Sequence, residues 1–424
     1  MSKLDELIKE LCPNGVEYKK VENCIISLKT GLNPRQNFKL NQDGDNCPYI
    51  TGKDIFDSKI NITERTDKIS NDAVKIINRR SNLEKGNLLF ASTGTGTVGR
   101  MAIIESYNND WNISETLYSL KVEKFILSKY LMYFLYTGEA KAQFEPKISK
   151  GSVPHLKVCD LLNVIVPIAP LPVQEEIVRI LDTFTSLTAE LTAELTARRK
   201  QYEYYRDSLL TRETKVEVKK MQDICDFVTV GIANSATHAY SDNGVLMFRN
   251  QNIKENYLDD KDLVYITPEF EEKYKNKRLK ENDILVTRTG YPGVACVVPK
   301  NYEGCQTFTT LIARLSDLSK ISPKYVCYYI NSGEGKKYVN QKKSGAAQQN
   351  FGATELSQMP IPLPPLDVQE RIVNVLDNFD SICTDLKIGL PAEIEARKKQ
   401  YEYYRDFLLT FASSGNTILS EQNR

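Results

Sequence analysis

The chain carries one sequence twice. Val173-Gln-Glu-Glu-Ile-Val-Arg-Ile-Leu-Asp-Thr-Phe184 returns as Val368-Gln-Glu-Arg-Ile-Val-Asn-Val-Leu-Asp-Asn-Phe379, an offset of 368 − 173 = 195. Ala197–Thr211 returns as Ala396–Thr410, an offset of 396 − 197 = 199, with Lys398 and Phe407 standing where the first copy has Arg199 and Ser208. The upstream regions repeat more faintly: Leu83-Glu-Lys-Gly-Asn-Leu-Leu-Phe aligns with Leu279-Lys-Glu-Asn-Asp-Ile-Leu-Val, and Val16-Glu-Tyr-Lys-Lys20 with Val216-Glu-Val-Lys-Lys220. A duplication of this extent demands two copies of one architecture. The 424 residues leave room for two domains and connecting elements.

The most faithful part of the repeat is helical. Apolar or aromatic positions run 173, 177, 180, 184, 187, 191, 195, 202, 205 and 209, and in the second copy 368, 372, 375, 379, 382, 386, 390, 394, 401, 404 and 408. That is close to the three-four spacing of a coiled-coil seam. Consecutive steps of four are stutters that locally unwind a supercoil, and the second copy's extra step accounts for its four additional residues. In the first copy the step is written as Thr188-Ala-Glu-Leu191 followed by Thr192-Ala-Glu-Leu195, a length-adjusting unit of about 6 Å of helix. Asp367 and Glu370 make a capping arrangement after the stiff Pro360-Ile-Pro-Leu-Pro-Pro365 linker, and Pro167-Ile-Ala-Pro-Leu-Pro172 is the corresponding linker in the first copy. Gly389-Leu390-Pro391 predicts a kink or restart. Near-identical helices at corresponding positions suit antiparallel pairing about a pseudo-twofold axis; packing against their own domains is the alternative.

Before each helix, short β-like runs (Asn87–Ala91, Met101–Ile104, Asp283–Val286, Val294–Val298) mix with helical pieces (Leu127–Phe134, Tyr325–Ile330), an α+β pattern. Ser92-Thr-Gly-Thr-Gly-Thr-Val-Gly99 contains the glycine spacing of a dinucleotide fingerprint, but a strand-like run follows where a helix would have to open on a pyrophosphate. Its copy keeps Gly290 opposite Gly94 and puts Pro292 and Ala295 opposite Gly96 and Gly99, so a β-turn is the reading. Such a polar loop can aim small hydroxyls and an arginine at base edges or phosphates: Ser92, Thr93 and Thr95 in one copy, Arg288, Thr289 and Tyr291 in the other. Arginine prefers guanine and a hydroxyl is permissive, so the copies would read different sequences. Polar clusters recur near each domain's end, Lys147, Lys150 and Ser152, then Lys342, Lys343, Gln348, Gln349 and Asn350, and suit phosphate positioning with base readout; solvated lysine loops are the plainer alternative.

Composition excludes more than it names. Net charge is only +1, so phosphate contacts must come from local clusters. Nine cysteines without a CxxC pair argue against a disulfide framework or zinc knuckle, and point to reduced buried thiols. No run nears the length of a membrane span and no leader is evident, so a soluble, cytoplasmic chain is expected. His155 and His238 occupy non-matching positions and read as surface residues, which leaves no symmetric metal site or histidine-based catalytic pair. A phosphate loop and the Asn/Asp-Pro-Pro-aromatic stretch of adenine methyltransferases are both missing, and Glu269, Glu271, Glu272 and Lys273 read as solvent-facing charge pairs. No catalytic site and no metal site are expected.

The proline-rich linkers, the Val-Gln-Glu-x-Ile-Val-x-x-Leu-Asp helix starts, the Thr-Ala-Glu-Leu repeat and the Arg-x-Lys-Gln-Tyr-Glu-Tyr-Tyr-Arg-Asp endings closely resemble the specificity subunit of type I restriction-modification enzymes, over nearly the whole chain. The resemblance implies two pseudo-twofold-related α/β target-recognition domains separated by two long antiparallel coiled-coil helices. Along the chain these would be a recognition domain at 1–166, a spacer helix at 167–212, a second recognition domain at 213–360, a second spacer helix at 361–412 and a polar tail at 413–424. It implies binding of an asymmetric bipartite double-stranded DNA site, docking of two methyltransferase subunits, and joining of motor-nuclease subunits. Gln174, Glu175, Arg198, Tyr202, Tyr205, Gln369, Glu370, Arg397, Tyr401 and Tyr404 would serve the spacer helices and subunit contacts. S-adenosylmethionine, ATP and Mg²⁺ would sit on the partners, and no cofactor on this chain. A protein-only coiled-coil scaffold, or a self-contained methyltransferase or nuclease, remains open at this point.

Overall fold

A computed structural model describes residues 2–211, 216–233, 236–344, 349–384 and 388–411. They group into two compact units, Met1–Glu190 with Ile394–Arg424, and Leu191–Glu393. Each unit therefore combines one globular region with parts of both helical repeats.

Within the first unit a four-stranded antiparallel sheet runs in the order Ile25–Thr30, Leu117–Val122, Leu88–Ala91, Met101–Ile103. The second unit holds the same sheet in the same order: Cys225–Val230, Leu311–Leu315, Ile284–Val286, Ala295–Val297. The inner strands Leu88–Ala91 and Ile284–Val286 are buried at every residue, as continuous apolar runs require of strands covered on both faces. One face takes the helix Ser128–Leu135 or Pro323–Asn331, whose aromatic residues join the core. Full burial of one such side chain stabilises by about 1.5–3 kcal/mol. A smaller sheet lies beside the main one, Asp67–Ile69, Cys47–Ile50 and Asn112–Ile113 in the first unit, and Tyr240–Ser241, Val264–Ile266, Val245–Arg249 and Gln306–Phe308 in the second. Gly31 and Gly231 stand where the chain crosses between the two: a Cβ there would fall 1.7 Å from the Ile113 carbonyl oxygen or 2.4 Å from that of Thr307.

The proline-rich segments are strands in part, at 167–168 of the first and 360–363 of the second, and only residues 169–170 and 364–365 link strand to helix. Ile165–Ile168 pairs with Glu17–Lys20, and Pro360–Leu363 with Glu217–Lys220, in two-stranded ribbons. Proline is tolerated there because an edge strand turns alternate N–H positions away from its only neighbour.

The first helical repeat is one helix, Leu171–Thr211, of 41 residues. The second is Leu366–Thr384 and Leu390–Leu409, with Ile388 and Gly389 in turn and bend, so the helical run is interrupted beside Pro391. Asp367 lies inside the first turn and its carboxylate accepts from Arg371 at 2.8 Å, an i,i+4 pair in place of the expected cap. Phe184 stacks on Tyr404 in the first unit, and Tyr205 on Phe379 in the second. Each stack joins a residue of one helical repeat to a residue of the other within a single unit.

Candidate nucleic-acid interface

The glycine-containing segment is a strand-to-strand turn in both copies. In the first unit Gly99 N–H donates to the Ala91 carbonyl at 2.9 Å with φ +86°, and in the second Gly293 N–H donates to Thr287 at 2.9 Å with φ +92°. Gly293 is thus the counterpart of Gly99, and the second loop is two residues shorter than linear alignment implied. Ala295 instead opens the following strand. Both glycines use a positive φ that a side chain would strain.

A second loop, after the helices Gly138–Phe144 and Gly333–Lys342, is joined to each turn. In the first unit Gly94 N–H donates to the Pro154 carbonyl (3.0 Å), Leu156 N–H to that of Ser92 (2.8 Å), and the Thr93 hydroxyl bonds His155 Nδ1 (2.7 Å). In the second, Phe351 N–H donates to the Arg288 carbonyl (3.0 Å), Thr289 and Asn350 form a β-bridge, and Arg288 Nε donates to Asn350 Oδ1 (3.0 Å). Thr95, Lys147, Lys150 and Ser152 are exposed around the first pair of loops, and Tyr291, Lys342 and Gln349 around the second; Thr93, Arg288, Thr289, Lys343 and Asn350 are half-buried. Lys147 is partly compensated by Asp160 at 3.9 Å. Gln348 lies outside the described residues, as does the expected polar tail.

Three expectations are corrected here. Ser92 is fully buried and its hydroxyl donates to the Thr116 carbonyl at 2.9 Å, so it belongs to the core beneath the loop. His155 is half-buried and engaged with Thr93, although His238 is exposed. Glu271 does not face solvent: it is buried, accepts from Arg278 at 2.8 and 2.6 Å and from Gln306 at 2.7 Å, and the Arg278 guanidinium holds its carboxyl below the ordinary range.

A third segment completes the second unit's surface. Asn250 donates to Thr289 Oγ1 (3.0 Å) and Thr309 Oγ1 (3.2 Å) and accepts from Arg288 N–H (3.0 Å), bracing the turn from the side. The signal for it was present as Arg249-Asn250-Gln251-Asn252, a polar run directly after the apolar Val245–Phe248.

On the helices, Gln174 and Gln369 are buried, not outward-facing. Gln174 accepts from Leu127 N–H (2.9 Å) and donates to the Phe125 (2.9 Å) and Ala169 (2.6 Å) carbonyls; Gln369 accepts from Ser322 N–H (2.9 Å) and donates to Lys320 (3.0 Å) and Pro364 (2.8 Å). Each clamps a helix start to its own unit. Tyr202 is buried and its hydroxyl accepts from Asn256, and Tyr401 packs edge-on against Tyr133. Tyr205 and Tyr404 take part in the stacks already described. Glu175, Arg198 and Glu370 are exposed, and Arg397 is half-buried with Gln400 beside it. The most exposed tyrosines of the repeats are two that the seam pattern passed over, Tyr204 and Tyr403.

Among the described residues no three His, Cys, Asp or Glu side chains gather as a metal ion would need, and no helix is long and apolar enough to cross a membrane. The two surfaces share a frame and differ in the groups they present.

Comparison with known proteins agrees with this duplicated frame. The family model described as type I restriction modification DNA specificity domain matches twice, at residues 13–198 and 213–396. The type I restriction enzyme EcoR124I/EcoR124II specificity subunit of Escherichia coli is 35% identical over 299 residues, 67% of this chain and 71% of its own length. A putative type I restriction enzyme specificity subunit of Haemophilus influenzae is 29% identical over 66% of this chain and 72% of its own. In fold, the type I restriction-modification S subunit of M. genitalium superposes with a TM-score of 0.53 at 10% identity over 93% of this chain and 96% of its own. A chain from a structure concerned with complex assembly and conformational transition of the type I R-M system gives 0.59 at 16% identity over 93% and 97%. With both repeats matched and the fold shared, the chain belongs to the specificity subunits of type I restriction-modification systems, the non-catalytic members of those systems.

Proposed function

We propose that this chain supplies sequence choice by binding double-stranded DNA, each unit reading one half of an asymmetric split site. The observation that carries the proposal is the pair of joined loops built twice on one frame, with Thr93, Thr95, Lys150 and Ser152 around one and Arg288, Tyr291, Lys342 and Asn350 around the other. Two readers of unlike half-sites need a common scaffold and different polar groups. Lys147, Thr289, Lys343 and Gln349, with Gln348, complete the proposed contact set.

In this proposal the helical repeats set the gap between half-sites and dock two methyltransferase subunits through side chains such as Glu175, Arg198, Glu370 and Arg397, and motor-nuclease subunits join that assembly. S-adenosylmethionine, ATP and Mg²⁺ belong to the partners, and the complex works in the cytoplasm beside the DNA. Footprinting of the assembled complex tests the reading: two short protected patches at a constant gap are expected, and a single patch or none would overturn it. Inserting one more Thr-Ala-Glu-Leu unit after Leu195 adds about 6 Å of helix and should move the patches apart.

A further inference from the structure

The second unit's turn ends in a side chain for which the first unit has no counterpart. Tyr291 is 87% exposed, more than any other large hydrophobic side chain among the described residues. Its backbone is nevertheless fixed. The buried Thr287 hydroxyl donates to the Tyr291 carbonyl (2.6 Å) and accepts from Val294 N–H (2.9 Å), while Gly293 N–H closes the loop onto the Thr287 carbonyl (2.9 Å). A Cβ on Gly293 would fall 2.7 Å from Val339, so the turn sits hard against the helix Gly333–Lys342. The ring is thus held out in water by a loop with little freedom left to lose.

Beside it runs a groove lined by Arg249, Asn250, Gln251, Lys254, Thr289 and Tyr291. Arg249 Nη2 donates to the Asp262 backbone carbonyl (2.6 Å), and its Nε is buried without a partner among the described residues. Glu255, also on the groove, is matched by Lys336 at 2.5 Å. What remains is positive charge and a projecting aromatic face. A polyanion with flat apolar rings satisfies both.

We propose that Tyr291 is a wedge that enters between adjacent bases of the duplex held by the second unit, with the positive charges of Arg249 and Lys254 lining the path of the phosphates beside the opened step. This rests on the DNA-reading function proposed above. Unstacking is least costly at pyrimidine–purine steps, so the second half-site is read partly through deformability. The first unit, with Thr95 in the corresponding loop, reads without a wedge.

The test uses the complex assembled with its methyltransferase subunits and duplexes carrying 2-aminopurine at successive positions of the second half-site. Wild type should show a several-fold fluorescence rise at one position, and Tyr291→Phe should keep it. Tyr291→Ala should lose it and bind about tenfold more weakly, with the other half-site protected as before. Arg249→Gln should lower the slope of log affinity against log salt by about one. Equal losses in Phe and Ala variants would mean a hydroxyl contact and overturn the wedge. So would a Tyr291→Ala complex that keeps DNA affinity but sheds its methyltransferase subunits, which would make the ring a protein contact. A wild-type complex that protects both half-sites without any fluorescence rise overturns the wedge alone; one that protects no DNA overturns the proposed function with it.

Discussion

Phe184 and Tyr404 stack with ring centroids 5.4 Å apart and planes 21° from parallel, and Tyr205 and Phe379 repeat the contact at 5.5 Å and 28°. Each stack joins one helical repeat to the other inside a single unit. The two contacts exchange the roles of the repeats, which is how a duplicated sequence pairs with itself.

Half-buried offset stacks of this kind contribute about 1 kcal/mol beyond the area they cover. In a double-mutant cycle, Phe184→Leu and Tyr404→Leu should each destabilise the chain and show a coupling of about 1 kcal/mol by urea denaturation. Purely additive effects would mean the rings share space without interacting.

Gln174 satisfies one half-buried N–H, one half-buried carbonyl and one buried carbonyl with a single buried amide. Gln174→Ala strands all three, and a loss of about 2–4 kcal/mol is expected. Gln174→Glu should be worse at neutral pH, because a carboxylate faces two carbonyl oxygens, and should recover partly on acidification as a protonated carboxyl regains one donor. Calorimetry at two pH values separates these; an Ala variant melting like wild type would show that water replaces the clamp.

Asp380 gives the second unit a pH dependence. Burial raises its carboxyl to about 6, and the charges of Asp377 and Glu255 push the same way against Lys324 and the Asn256 hydrogen bond. The folded value lies above the ordinary 3.8, so the folded state holds the proton more tightly, and stability falls as pH rises from about 4 through 6. Asp380→Asn removes that loss: it should leave stability unchanged below pH 4 and raise it above pH 6 by something on the order of 1 kcal/mol, after discounting for solvent access. Urea midpoints measured from pH 4 to 7.5 check this, and a constant difference across the range would refute it.

The repeat makes the doubled α+β architecture legible in the sequence, because period and pattern survive where surface residues diverge. The spacing around Gly389-Leu390-Pro391 likewise announced the interruption of the second helical repeat. What could not be read were the contacts that depend on tertiary neighbours. Gln174 and Gln369 fall next to exposed glutamates in sequence and look like surface residues, yet each amide is held by a loop 49 positions upstream as well as by a carbonyl five residues before it. Ser92 has the composition of a reading loop, but the strand pairing turns its hydroxyl to Thr116. The two-residue shortening of the second turn was invisible because Gly290 aligned without a gap, and only the hydrogen bonds of Gly293 reveal the register. The prolines read as stiff linkers hid a strand in part of each segment, because a two-stranded ribbon offers an edge where proline is tolerated.

Arg288 and Lys342 should separate the two parts of DNA recognition. Arg288 is braced at its backbone by Asn250 and at Nε by Asn350, each at 3.0 Å, so its remaining guanidinium donors are held in a set direction, as base-edge contact requires. Lys342 is exposed near the end of its helix and can reach a phosphate without defined geometry. Arg288→Ala should therefore weaken binding to the cognate second half-site by about 1–3 kcal/mol while leaving non-cognate duplexes nearly unaffected. Lys342→Ala should weaken all sequences alike and reduce the salt slope by about one. Affinities of the assembled complex for matched and mismatched duplexes at several salt concentrations decide the matter. If Arg288→Ala lowered every affinity equally, its fixed orientation would serve the loop's architecture rather than the reading of bases.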